Sequence, residues 1–174
     1  MMDSQITMFS VEELGSIYMV PFWVFYQVAG ADSVFDEQET EAFQSMLDTA
    51  PRLRDDFARA IFSNMNASFI DILHKAKNNP TRAYEGLREA MDVLDKLPPD
   101  ITAEFKTLVF VMGWSVAAAS GDFSDTGSGS NISEDEIDNL VVVAEVLGLS
   151  FPKLQKVITS SDGDKVWSSF LKAA

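Results

Sequence analysis

Residues 14–31 read LGSIYMVPFWVFYQVAGA, and the chain continues from Ala31 as ADSVFDEQETEAF. The first string has no charged residue. It is followed by a turn with Asp32, and then by an acidic helix start at Asp36-Glu37-Gln38-Glu39. The same order recurs later. Residues 107–121, TLVFVMGWSVAAASG, are again uncharged, and Asp122 and then Ser133-Glu134-Asp135-Glu136 follow them. A helix that is apolar on every side belongs in the middle of a fold or in a membrane. The first stretch is barely long enough to span a bilayer and is interrupted by Pro21 and Gln27, and the second falls short of the roughly 20 residues required. No basic residue flanks the first stretch, so charge does not orient a span. Both are expected to be buried helices packed against each other at the centre of the fold, without stable membrane insertion.

The two turns align once residues 124–130, SDTGSGS, are treated as an insert. Phe35 then matches Ile132, Asp36 matches Ser133, Glu39 matches Glu136, and Phe43 matches Leu140. This reads as an internal duplication of helix, acidic turn and helix. The insert has no apolar residue and is expected to be an exposed loop.

The remaining chain also has helical periodicity. Ile137, Leu140, Val141, Ala144 and Leu147 share one face, as do Ala83, Leu87, Ala90, Met91 and Leu94. Asn79-Pro80 reads as an N-cap followed by Pro at the first helical position, and Pro51, Pro99 and Pro152 lie near other starts. Gly148 reads as a helix C-cap. Asp162-Gly163-Asp164 reads as a turn before a last helix. No run alternates as a strand does. The expected fold is an all-α, single-domain bundle of seven to nine helices. Repeat 1 covers about 11–49, connecting helices 51–98, repeat 2 about 100–149, and C-terminal helices 150–174.

Composition narrows function. The chain has 174 residues, no Cys and one His, His74. Disulfides, zinc ribbons and thiol catalysis are thereby excluded, and a Ser-His-Asp triad is a poor fit. The net charge is -14. Nucleic-acid binding needs clustered Lys and Arg, so that class is disfavoured. Residues 1–51 and 107–152 hold 16 of the 27 acids and none of the 13 bases. Such a surface attracts cations or basic partners. The start, MMDSQ, lacks a basic signal region. With no Cys present either, the cytoplasm is the expected location.

The strings VAGADSVFDEQETEAF and AAASGD…ISEDEIDNLVVVAEVLGLS resemble the tellurite-resistance TerB-like family over roughly residues 10–150. Domains of that family pair an apolar helix with an Ala-x-Ala-Asp-Gly turn and a Glu on the next helix, and end the second copy in Leu-Gly-Leu, here Leu147-Gly148-Leu149. Ser33 stands where the family favours Gly, and the second copy has Ser120-Gly121-Asp122 followed by the insert. The resemblance implies a non-enzymatic helical protein of tellurite and stress resistance, with acidic turns that bind cations.

Asp32, Asp36, Glu39, Asp122, Glu134 and Glu136 supply hard oxygen ligands, suited to Ca²⁺ or Mg²⁺ rather than Zn²⁺. Neither turn is an EF-hand: counted from Asp122, the position that requires Glu is Ser133, and counted from Asp32, the position that requires Gly is Glu37. Asp36-x-x-Glu39 and Ser133-x-x-Glu136 also have the spacing of capping boxes, in which the same carboxylates serve the backbone. Asp125-Thr126-Gly127 matches the aspartic-protease string in a single copy only, where the chemistry needs two. Trp23, Phe110 and Trp114 read as core. Three readings follow. The first is a TerB-like protein with weak divalent-cation sites and protein partners, a second copy of the chain among them. The second is an interaction module whose acids only cap helices and solubilise. The third is an enzyme built on paired carboxylates, for which no nucleophile and base pair stands out.

Overall fold

The computed structural model describes residues 6–30, 35–78, 82–119, 132–159 and 163–173. Eight α-helices lie among them: α1 Val11–Ala29, α2 Glu37–Asp48, α3 Asp56–Asn78, α4 Ala83–Leu94, α5 Pro99–Ala119, α6 Glu134–Leu147, α7 Phe151–Thr159 and α8 Gly163–Ser168. A 3-10 turn, Ala50–Arg52, joins α2 to α3. No strand occurs among the described residues; a single bridge pairs Leu53 with Leu171. The protein is one compact all-α bundle, as the periodicity predicts.

The two uncharged stretches form its centre. α1 packs on α3, α4, α5 and α6, while α5 packs on α1, α2, α6 and α8. Seven consecutive residues of α5, 108–114, are buried, so this helix is enclosed on all sides. At the crossing, Gly113 leaves no room for a Cβ, which would lie 2.8 Å from Val24 Cγ1. α1 continues through Pro21, which is itself buried. An interior proline costs a helix about 3 kcal/mol, a penalty that the burial of Ile17, Val20, Phe22, Val24 and Phe25 around it offsets.

α5 begins at Pro99, earlier than the uncharged stretch, and its 21 residues make it long and apolar enough to cross a membrane by length and composition. Of its most apolar window, 61% is buried inside the bundle. Its first turns include Asp100, Glu104 and Lys106, which the sequence reading left out of the helix.

The outer helices bury one face each. On α3 this is Phe57, Ile61, Phe62, Met65, Phe69 and Leu73. On α4 all five predicted positions are buried. α4 starts at Ala83 with Arg82 as its N-cap residue, and Asn79 and Pro80 lie outside the described residues. Aromatic rings connect the layers. Phe25 stacks on Phe43 at 4.6 Å between centroids and meets Phe69 edge-on at 5.7 Å, so α1, α2 and α3 share one cluster. Phe151 meets Phe110 at 6.2 Å and Trp114 at 6.3 Å, which seats α7 on α5. Phe110 and Trp114 are core residues, and Trp23 packs against the core over Gly86. Gly148 ends α6 in the left-handed region at φ 69°, and the Leu149 N–H reaches back to the Ala144 carbonyl at 2.8 Å.

Candidate functional site

The acidic helix starts are built from the backbone outward. At α2, Asp36 is extended at φ -66° and ψ 145°, and its carboxylate accepts the Gln38 N–H at 2.6 Å. Glu39 reaches back and accepts the Asp36 N–H at 3.1 Å, which completes a capping box. At α6, the Ser133 hydroxyl oxygen accepts the Glu136 N–H at 3.2 Å. Glu136 Oε2 accepts the Ser133 N–H and its hydroxyl, both at 2.7 Å. Each box satisfies helix-end donors that would otherwise have no intrahelical partner. Glu37, Glu134 and Asp135 add negative charge to the first turns, where it complements the helix dipole.

Glu39 is 4% exposed and Glu136 8% exposed. Carboxylates this buried require hydrogen-bond donors, and the cap supplies them. Asp36 and Glu134 are exposed. Asp36 thus meets Glu39 in one cap and Ser133 meets Glu136 in the other, while Glu134 stands beside the second cap. Among the described residues, no three His, Cys, Asp or Glu side chains converge on one point. Asp32, Asp122 and the insert 124–130 lie outside the described residues.

A third capping box, Ser10 with Glu13 at the start of α1, falls outside the acidic-turn alignment. Its four-residue spacing was legible in the sequence. No family model, curated protein or solved structure matches the chain.

Two other features flank the acidic starts. Gln27 Nε2 donates to Asn139 Oδ1 at 2.9 Å, a polar tie between α1 and α6 one turn beyond the second cap. An open groove of about 520 Å³ lies between α4 and α6, lined by Glu85, Glu89, Asp92 and Glu145 with Tyr84 and Arg88. The Arg88 guanidinium stands 5.9 Å from the Tyr84 ring centroid. A hydrogen bond from its own backbone N–H, with Arg82 adding to it, holds the Glu85 carboxyl below the usual glutamate range. No local pattern announces this groove, because its walls come from two helices remote in sequence. His74 is exposed on α3, where its carbonyl accepts from Asn78 at 2.9 Å.

Proposed function

We propose that the chain is a TerB-like, non-enzymatic helical protein of cytoplasmic stress (tellurite) resistance. Its two acidic inter-helix turns bind a divalent cation weakly, Ca²⁺ or Mg²⁺, and its outer helical faces bind protein partners. We further propose that the fold contains the duplication, with repeat 1 over about 11–49 and repeat 2 over about 100–149. One observation carries the reading: aligned positions of the two turns have the same surroundings. Asp36 and Ser133 are both N-caps, Glu39 and Glu136 are both buried in their boxes, and Phe43 and Leu140 are both fully buried. Phe35 and Ile132 both pack on the core edge. The partner helices correspond in part: α2 lies on α5, and α6 lies on α1, although α6 also packs on α5 of its own repeat.

The two segments free of bases carry 16 of the 27 acids, an excess of negative charge that attracts cations. A cation bound only to the folded state relieves this, adding roughly 2.7 kcal/mol at a hundredfold excess over its Kd. Millimolar Ca²⁺ or Mg²⁺ is therefore expected to raise Tm more than NaCl of matched ionic strength. Replacing both Asp32 and Asp122 with Asn should reduce that divalent increment. Ser133→Ala should instead cost about 1 kcal/mol with any salt, as a lost cap does. An unchanged divalent response in the double Asn variant would remove both residues as ligands.

The alternative is a protein-interaction module in which the acids only cap and solubilise. It is favoured by the commitment of Glu39 and Glu136 to backbone donors. It predicts equal responses to NaCl and to divalent salts.

A further inference from the structure

The acids at the starts of α2 and α6 cap those helices, but others stand at the opposite ends. Asp92 lies in the last turn of α4 and Glu145 in the last turn of α6, where the helix dipole is negative and disfavours a carboxylate. Neither last turn contains a basic residue. The bases that flank α4 are engaged elsewhere: Arg82 pairs with Glu85 at 3.3 Å, Lys96 pairs with Glu13, and Lys106 lies 3.6 Å from Asp95. Arg88 stands over the Tyr84 ring. Glu89, Asp92 and Glu145 are exposed and form no ion pair among the described residues. These three carboxylates line the open groove between α4 and α6, whose apolar lining is Tyr84, Met91 and Val146. Tyr84 is 43% exposed, which leaves a large ring open to solvent at the groove.

We propose that this groove docks a basic amphipathic helix of a partner protein: its Lys and Arg side chains meet Glu89, Asp92 and Glu145, and its apolar face lies on Tyr84, Met91 and Val146. Docking here rests on the reading that outer helical faces bind protein partners, and gives that reading a face and a partner chemistry. Three observations favour this occupant. The first is charge complementarity: four carboxylates stand against one guanidinium, and an incoming cationic side chain also offsets two helix C-termini. The second is size. The groove holds about 520 Å³. Its α4 wall runs from Tyr84 to Asp92, roughly 12 Å, the length of about two turns of a helix laid beside it. The third is the mixed lining. A bare cation makes no use of Met91 and Val146, whereas a helix in a groove seats an apolar stripe between charged flanks. Both walls are helices, so an extended strand finds no sheet edge to pair with there.

Fluorescence anisotropy with the full chain tests this. The probe is a fluorescein-labelled helical peptide built only of Leu and Lys, with Leu along one face. Two double variants remove equal charge. One is Glu89→Gln with Glu145→Gln in the groove; the other is Glu41→Gln with Asp71→Asn, exposed on α2 and α3. The groove pair should weaken binding at least about tenfold and the control pair less than about twofold, because exposed charges outside the contact are screened. Tyr84→Ser leaves the charge unchanged and should weaken binding at least about threefold. Glu145→Gln takes an acid from a helix C-terminus, so the groove pair should melt no lower than the parent, which verifies that it is folded. Equal losses in the two pairs would place the basic partner on another face: partner binding would stand and the groove would fall. No binding to the parent would overturn the basic partner as well as the groove. Unchanged binding in Tyr84→Ser would mean that charge alone holds the peptide, and would overturn docking of an apolar face. Parent dimers that the groove pair abolishes would make a second copy the occupant, and would overturn the proposal too.

Discussion

Glu13 uses its two carboxylate oxygens for two tasks. One accepts the Ser10 N–H at 2.9 Å and closes the cap of α1; the other pairs with Lys96, just beyond α4. The Lys96 hydrogen bond first, and the Ser10 N–H second, hold the Glu13 carboxyl below its usual range. A carboxyl lowered in the folded state stabilises it above the ordinary glutamate range, and that contribution is lost as pH falls through the lowered value. Lys96→Met should therefore lower Tm most at neutral pH. The gap to the parent should close once the pH is below the folded-state value, as thermal melts across a pH series will show. A gap that persists in acid would mean that Lys96 acts through its aliphatic stem. Such residues mark the limit of what the sequence discloses. Ser10 and Glu13, like Asp36 and Glu39, announce themselves by spacing because a cap is local. Lys96 is remote in sequence, so nothing in the string pairs it with Glu13.

At the scale of the element, α1 and α4 show packing reversing a propensity. Gly86 sits inside α4, where Ala would ordinarily favour a helix by about 1 kcal/mol. A Cβ there would lie 2.5 Å from Trp23 Cζ2, against the ring that α1 lays across α4. Overpacking a fixed contact costs roughly 1–3 kcal/mol, so the steric term outweighs the propensity gain. Gly86→Ala should destabilise the protein in urea denaturation, and adding Trp23→Leu should recover part of the loss. If the single variant is more stable than the parent, the Trp23 ring has moved aside and the contact does not set the helix spacing. The apolar stripe of α4 was legible because it repeats within the helix; on α6 Leu140, Ala144 and Leu147 are buried as the spacing predicts, but Ile137 and Val141 are half-buried and Val143 takes a core place instead. The start of α4 and the length of α5 were less so: Arg82 forms no side-chain cap bond, and charged Asp100, Glu104 and Lys106 share a helix with the uncharged stretch. The groove between α4 and α6 is a product of assembly, which no single element encodes.

Across the whole molecule, charge is unevenly spread. The two base-free segments supply the most enclosed stretches and the capped acidic starts of α2 and α6, while every Lys and Arg lies in 52–106 or 153–174, Lys106 within α5 itself. All-α composition and the central pairing of α1 with α5 follow from that pattern, whereas the cation-binding reading depends on Asp32 and Asp122 as well as on the capped carboxylates. The place of α1 also has a consequence for how the chain is made. α1 precedes α4, α5 and α6 in the chain, yet these later helices cover it. Until α5 is complete, Val24 and Val28, which lie against its Gly113, lack that partner, and apolar surface exposed in this way promotes aggregation. A chain ending at Leu97 should therefore show no cooperative thermal transition and should enhance the fluorescence of a dye that binds apolar surface, whereas the full chain should melt cooperatively and leave the dye dark. A sharp melt in the truncated chain would show that α3 and α4 suffice to cover α1. Vectorial synthesis thus leaves α1 without its later partners until α5 has emerged, a window in which a holding chaperone would govern yield more than the stability of the finished bundle does.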